Sequence, residues 1–186
     1  MTPFDALRAR LTPPKPTAPK PGFVETSVAV ILSPGHEILF IRRAERAGDP
    51  WSGHIGLPGG RREASDGDLL DTARRETREE IGVELPAGAL LGALDDLEPS
   101  TPSMPPLLIR PFVFGLDPRP AAGVSDEVAD SFWIPLDSLH AVRASTTVVL
   151  RGKPLEVPCF RVPGLPDGLV VWGLTYRILN GLLPLL

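Results

Sequence analysis

Residues 69–81, LLDTARRETREEI, constrain this chain more than any other stretch. On a helix at about 100° per residue, Leu70, Ala73, Thr77 and Ile81 fall close together, with Leu69 at the margin, and form an apolar stripe. Glu76, Glu79 and Glu80 occupy an adjacent arc, and Arg74, Arg75 and Arg78 the opposite flank. A merely solvated, salt-bridged helix accounts for this poorly. Arg75 and Glu79 are i,i+4 and can pair, but Glu76 has Glu80 at that spacing, where like charges destabilise a helix by roughly 0.2–0.5 kcal/mol per pair. Three carboxylates on one edge call for a cation. Hard divalent ions such as Mg²⁺ take oxygen ligands and retain waters, so such an edge suits them. Ser65 and Asp68 read as a capping box, with Asp66 as a second cap candidate, so the helix start is marked.

Leu57-Pro58-Gly59-Gly60 leads into this helix, and paired glycines let a backbone approach a ligand or ion closely. Upstream, ETSVAVILS and EILFIRR are β-branched, apolar runs split by Pro34-Gly35, which predicts two strands and a turn. DPWSGHIGLPGG reads as a glycine-rich loop and the helix as 66–81. Downstream, ALLGALDDLEP, LLIRPFVFGL, SFWIPL, TTVVL and LEVPCFRV predict strands, with a short helical turn at DSLHAV and a final helix in GLVVWGLTYRILNGLL. This order predicts an α/β or α+β fold, a mixed sheet sandwiched between helices.

Before Phe23 the chain is different. PFDALRARL predicts a short helix, and TPPKPTAPKPG carries prolines at 13, 14, 16, 19 and 21, an extended, polyproline-like spacer. The organisation expected is a proline-rich arm over 1–22 and one domain over 23–186.

A net charge of −4 argues against a broad basic face, so no nucleic-acid partner is expected. The single Cys159 excludes an internal disulfide and a cysteine-cluster zinc site, and points to a reducing, cytoplasmic home. Leu169–Leu186 is apolar, but Arg177, Tyr176 and Asn180 interrupt it and Pro184 breaks it, so a buried helix is expected and no membrane span.

Gly60 followed by Arg75-Glu76-Thr77-Arg78-Glu79-Glu80-Ile81-Gly82-Val83 resembles the signature box of the Nudix hydrolases, G-x5-E-x7-R-E-U-x-E-E-x-G-U, where U is a bulky aliphatic residue. The second half matches at every fixed residue, with Thr77 where an aliphatic is usual. Between Gly60 and Arg75 lie 14 residues where the pattern has 13. Gly67 stands eight before Arg75, and Asp66 and Asp68 flank it as substitutes for the first-half acid. The longer loop resembles a subgroup similar to coenzyme A pyrophosphatases. So do Arg43-Ala44, Gly53 ahead of Leu57-Pro58-Gly59-Gly60 (Leu57 replacing the usual Phe), LLGALDD with Thr101-Pro102, VSDEV, WIPL and VPCFRV.

The resemblance implies metal-assisted hydrolysis of a nucleoside diphosphate linked to another moiety, with Mg²⁺ or Mn²⁺ as cofactor. By position it implies Glu76, Glu79, Glu80 and the Gly59 carbonyl as metal ligands, and Arg75 as the residue orienting Glu79. Glu127 is the candidate general base, with Asp126 and Asp95-Asp96 behind it. For a coenzyme A-like substrate the products are 3′,5′-ADP and phosphopantetheine, and Arg42, Arg43, Arg46, Arg61 and Arg62 are the candidate phosphate cations. His54 is a further candidate facing the phosphates. ADP-ribose or a dinucleoside polyphosphate stays open as substrate. A Nudix-fold binding module without catalysis fits less well, because Glu76, Glu79 and Glu80 are intact. A homodimer is left open.

Overall fold

A computed structural model describes residues 2–14, 19–49, 51–99, 106–140, 143–150, 152–163, 165–166 and 168–186. Pro16 of the expected spacer and Thr101-Pro102 lie outside the described residues. In chain order the elements are α1 (Asp5–Arg8), β1 (Val24–Leu32), β2 (Glu37–Arg43), β3 (Ile55–Gly56), β4 (Gly59–Arg61) and α2 (Leu69–Ile81). They continue with β5 (Leu90–Ala93), β6 (Leu107–Gly115), β7 (Val128–Pro135), α3 (Leu136–His140), β8 (Arg143–Leu150), β9 (Lys153–Phe160), β10 (Val171–Trp172) and α4 (Gly173–Leu182).

The main sheet is mixed. β1 runs parallel to β6 along its whole length and antiparallel to β2 at Leu32↔Ile38. Further back along β1, β4 replaces β2, pairing Gly59 with Val28 and Gly60 with Ser27. β2 diverges to pair with β7 and β3. The paired glycines thus sit where β1 exchanges one neighbour for another. A small second sheet has the order β10-β9-β8.

Side chains alternate across a strand, and both faces here are covered. Val30, Leu32, Ile38 and Phe40 enter one core cluster, with Ile178, Leu179 and Leu182 of α4 and with Phe160. Ala29, Ile31, Leu39 and Ile41 enter the other, with Leu69, Ala73 and Ile81 of α2. Burial on both faces is why β1 and β2 read as continuous apolar runs. The expected sandwich is observed.

Four boundaries differ from expectation. The α2 helix begins at Leu69 because Asp68 is its N-cap, its carboxylate accepting from the Leu70 and Asp71 amides. The glycine-rich stretch holds two short strands, β3 and β4, with too few residues to show a period. The last helix begins at Gly173, because Val171 and Trp172 pair with β9 instead.

The fourth difference is the N-terminal segment. Phe4, Leu7 and Leu11 are buried in the α4-side core. Phe4 lies over Gly115 and Leu11 over Gly92, two positions where a Cβ would collide. Arg8 donates to the Leu90 carbonyl at 2.7 Å, and Arg10 to the Pro184 carbonyl at 2.8 Å. The expected short helix is present at Asp5–Arg8, and residues 4–12 of the 1–22 arm pack on the domain. The apolar triplet Phe4, Leu7, Leu11 was the signal for it.

Candidate active site

The site is built where α2 lies against β4. Gly59 has φ +151°, and a Cβ there would run into the Ser27 carbonyl and Val28 of β1. Only glycine lets β4 come this close. The Gly59 amide donates to Glu80 Oε2 at 2.9 Å. Gly60 lies against the Glu76 carboxylate, which occupies the space a side chain would fill. Loop and helix edge are thus fitted through Gly59–Glu80 and Gly60–Glu76.

Glu80 is 3% exposed, and burial pushes its carboxyl up to about 7, beyond what the Gly59 amide offsets. Burial also raises Glu76, against the pull of the Arg75 guanidinium. The Glu79 and Glu127 charges also raise Glu76, and the Glu76 and Glu127 charges raise Glu80. The Arg43 cation acts the other way on Glu80. Desolvated carboxylates that raise one another are the donor chemistry a divalent cation fits. Among the described residues, however, no three His, Cys, Asp or Glu side chains converge as a preformed ion site. Glu79 is the exposed member of the three, its Oε2 accepting at 2.9 Å from the same Arg75 Nη1 that holds Glu76.

Arg75 organises the acidic edge rather than lying opposite it. Its Nε and Nη2 each donate to Asp66 at 3.0 Å, its Nη1 reaches Glu76 and Glu79, and its Nη2 also reaches the Arg61 carbonyl. Asp66 is buried and accepts from the Glu63 amide and the Thr72 hydroxyl as well. These bonds, Arg75 foremost, hold its carboxyl down at about 2. Between the two acids left open by the sequence, Asp66 therefore meets Arg75 and Asp68 caps the helix. The buried side of α2 is rotated toward the acids: Thr72 and Glu80 are buried and Leu70 only partly. Thr77 replaces an aliphatic without strain because its hydroxyl donates to the Ala73 carbonyl at 2.7 Å. Leu57 is a core residue.

The candidate cations divide. Arg43 Nη2 pairs with Asp49 at 2.9 Å, and Arg46 Nη1 with Glu127 at 3.3 Å. Arg42 approaches Glu45 at 3.5 Å. The buried Nε atoms of Arg42 and Arg43 have no acceptor. Arg61 is exposed. Arg62 is occupied structurally by Glu25 at 3.1 Å and the Gly67 carbonyl at 2.8 Å. Asp96 is held by Arg110 through bonds of 2.8 and 2.6 Å, so it is a strand-end ion pair. His54 packs at 5.0 Å from Trp172, and burial lowers its pKa.

Fold and site together define a class. Residues 24–152 match the NUDIX domain model, and the chain belongs to the Nudix domain family. A human relative, mitochondrial coenzyme A diphosphatase NUDT8, is 33% identical over 80% of this chain and 62% of its own length. An uncharacterized Schizosaccharomyces pombe protein, C14C4.10c, is 37% identical over 60% of this chain and 35% of its own. This chain thus spans between about a third and three fifths of these relatives. The crystal structure of a MutT NUDIX hydrolase from Burkholderia pseudomallei shares the fold, with TM-score 0.57 at 20% identity, covering 85% of this chain and 96% of that one. No helix among the described residues is long and apolar enough to cross a membrane.

Proposed function

We propose that this chain is a divalent-metal-dependent pyrophosphatase of nucleoside diphosphate derivatives, with coenzyme A or its derivatives as substrate. The observation that carries the reading is the fit of Gly59 and Gly60 against Glu80 and Glu76, two desolvated carboxylates beside Arg75. The likeness to the human relative, named as a coenzyme A diphosphatase, supports the narrower substrate.

In this reading Glu76, Glu79, Glu80 and the Gly59 carbonyl hold Mg²⁺ or Mn²⁺. When bound, such an ion would supply neutralisation of phosphate charge and activation of water. Glu79 reaches that role by leaving Arg75 Nη1, while Arg75 keeps Glu76 through Nη1 and Asp66 through Nε and Nη2. Arg75 positions the carboxylates. Glu127 is the proton acceptor, released from Arg46 when that arginine turns to the substrate phosphates. Arg42, Arg43 and Arg61 are the remaining phosphate cations. We place the protein in a reducing compartment on its single, buried Cys159; a cytoplasmic and a mitochondrial location both satisfy this.

A panel of coenzyme A, 3′-dephospho-coenzyme A, ADP-ribose and a dinucleoside tetraphosphate, with Mg²⁺ and with Mn²⁺, tests the reading. Coenzyme A should be the fastest, yielding 3′,5′-ADP and phosphopantetheine. Faster ADP-ribose turnover would move the assignment to the general nucleoside diphosphate class.

A further inference from the structure

The loop between β2 and β3 holds an exposed tryptophan. Trp51 is 42% exposed, and its ring lies 5.9 Å from that of Trp172 and 6.1 Å from that of His54. His54 in turn stands edge-on to Trp172 at 5.0 Å. The loop fixes this indole through its own hydrogen bonds. Asp49 Oδ1 accepts from the Trp51 amide at 2.9 Å, and Asp49 Oδ2 accepts from Arg43 Nη2 at 2.9 Å. The Ser52 hydroxyl closes the loop onto the Arg46 carbonyl at 3.0 Å, and the Arg43 amide donates to the His54 carbonyl at 3.0 Å.

One carboxylate, Asp49, therefore ties the backbone of the tryptophan to Arg43, whose chain neighbour Ala44 donates to the Glu127 carbonyl at 2.8 Å. Arg46, from the same loop, reaches Glu127 on the other side. The aromatic cluster is joined to the charged site through Asp49, which holds both the Trp51 amide and Arg43. It is suited to the neutral, planar part of a ligand whose phosphates lie toward Arg43.

We propose that Trp51, backed by Trp172 and His54, is the platform on which the base of the substrate nucleotide stacks, and that Asp49 fixes its distance from the phosphate cations. This rests on the nucleotide reading above. Base–aromatic stacking is sequence-tolerant and changes affinity by about five- to 150-fold per base. The platform accordingly accepts bases generally and supplies binding rather than chemistry.

The test compares the full-length wild type with Trp51→Phe and Trp51→Leu. Leucine keeps an apolar side chain and removes the π face, so a general loss of packing and a loss of stacking separate. Binding of 3′,5′-ADP is followed by calorimetry and by tryptophan fluorescence, and KM and kcat are measured for coenzyme A and for an abasic ribosyl diphosphate ester. The proposal expects Trp51→Leu to weaken 3′,5′-ADP at least ten-fold and raise KM for coenzyme A, with kcat within about two-fold, the abasic ester unaffected and Trp51→Phe close to wild type. Unchanged binding in Trp51→Leu overturns it, and so does an equal loss for the abasic ester. If the wild type binds 3′,5′-ADP through Trp51 yet hydrolyses nothing, the platform stands and the hydrolase reading falls. If the wild type binds no nucleotide, the platform falls.

Discussion

Arg75 grips Asp66 with two parallel bonds of 3.0 Å, joining the loop before α2 to the middle of the helix. The fork leaves Nη1 for Glu76 and Glu79, so the orientation of the acidic edge depends on a carboxylate outside it.

Replacing Asp66 with Asn should lower both turnover and stability. The Asp66 carboxyl titrates at about 2 in the fold, below its ordinary 3.8. A depressed carboxyl stabilises the fold fully above its unfolded value, and the gain is lost as pH falls through about 2. Its size is on the order of 2 kcal/mol. Acid unfolding curves between pH 5 and 2 should therefore be flatter in Asp66→Asn than in wild type. Identical curves would remove Asp66 from this role.

Glu80 has the opposite sign. Its carboxyl is raised to about 7, so its contribution is favourable at low pH and is lost as pH rises through that value. Chelated wild type should lose up to about 3 kcal/mol from this group between pH 5 and 8, and added Mg²⁺ or Mn²⁺ should restore it. Glu80→Gln should abolish turnover and melt at or above the wild-type temperature at pH 8 in chelator. A marked drop in melting temperature would make Glu80 a structural residue.

The two glycines separate fold from site. Gly59→Ala drives a Cβ into the Ser27 backbone and should unfold the loop, with a large loss of melting temperature. Gly60→Ala displaces only the Glu76 side chain. Its turnover should fall at least ten-fold while its melting temperature stays within a few degrees. Equal thermal losses in the two variants would contradict this.

Removal of residues 1–12 should destabilise the protein. Burial of Phe4, Leu7 and Leu11 is worth roughly 1.5–3 kcal/mol each before chain ordering is counted. A fall of more than about 5 °C in melting temperature is expected. An unchanged melting curve would make residues 1–12 a dispensable arm.

The acid-edged helix α2 was legible in the sequence because its acids, arginines and apolar residues are crowded into consecutive turns in periodic positions. So were β1, β2 and the sandwich, whose long apolar runs are the mark of a sheet covered on both faces. Asp66 could not be told from Asp68, because both sit at helix-capping distance and only the fork of Arg75 distinguishes them. The grip of Arg62 on Glu25 and the Arg43–Asp49 pair were hidden for a related reason. An arginine's partner depends on how separate segments pack, whereas its sequence neighbours say only that it is near a loop. The packing of Phe4 and Leu11 onto Gly115 and Gly92 joins segments some eighty to over a hundred residues apart, beyond the reach of any local pattern.

The most direct test of the account is product analysis by mass spectrometry after coenzyme A is incubated with the full chain, with Mn²⁺ or after exhaustive chelation. The account predicts stoichiometric 3′,5′-ADP and phosphopantetheine with the metal and intact coenzyme A without it. Cleavage that persists after chelation, or a metal-loaded protein that leaves coenzyme A and every other nucleoside diphosphate intact, would contradict it.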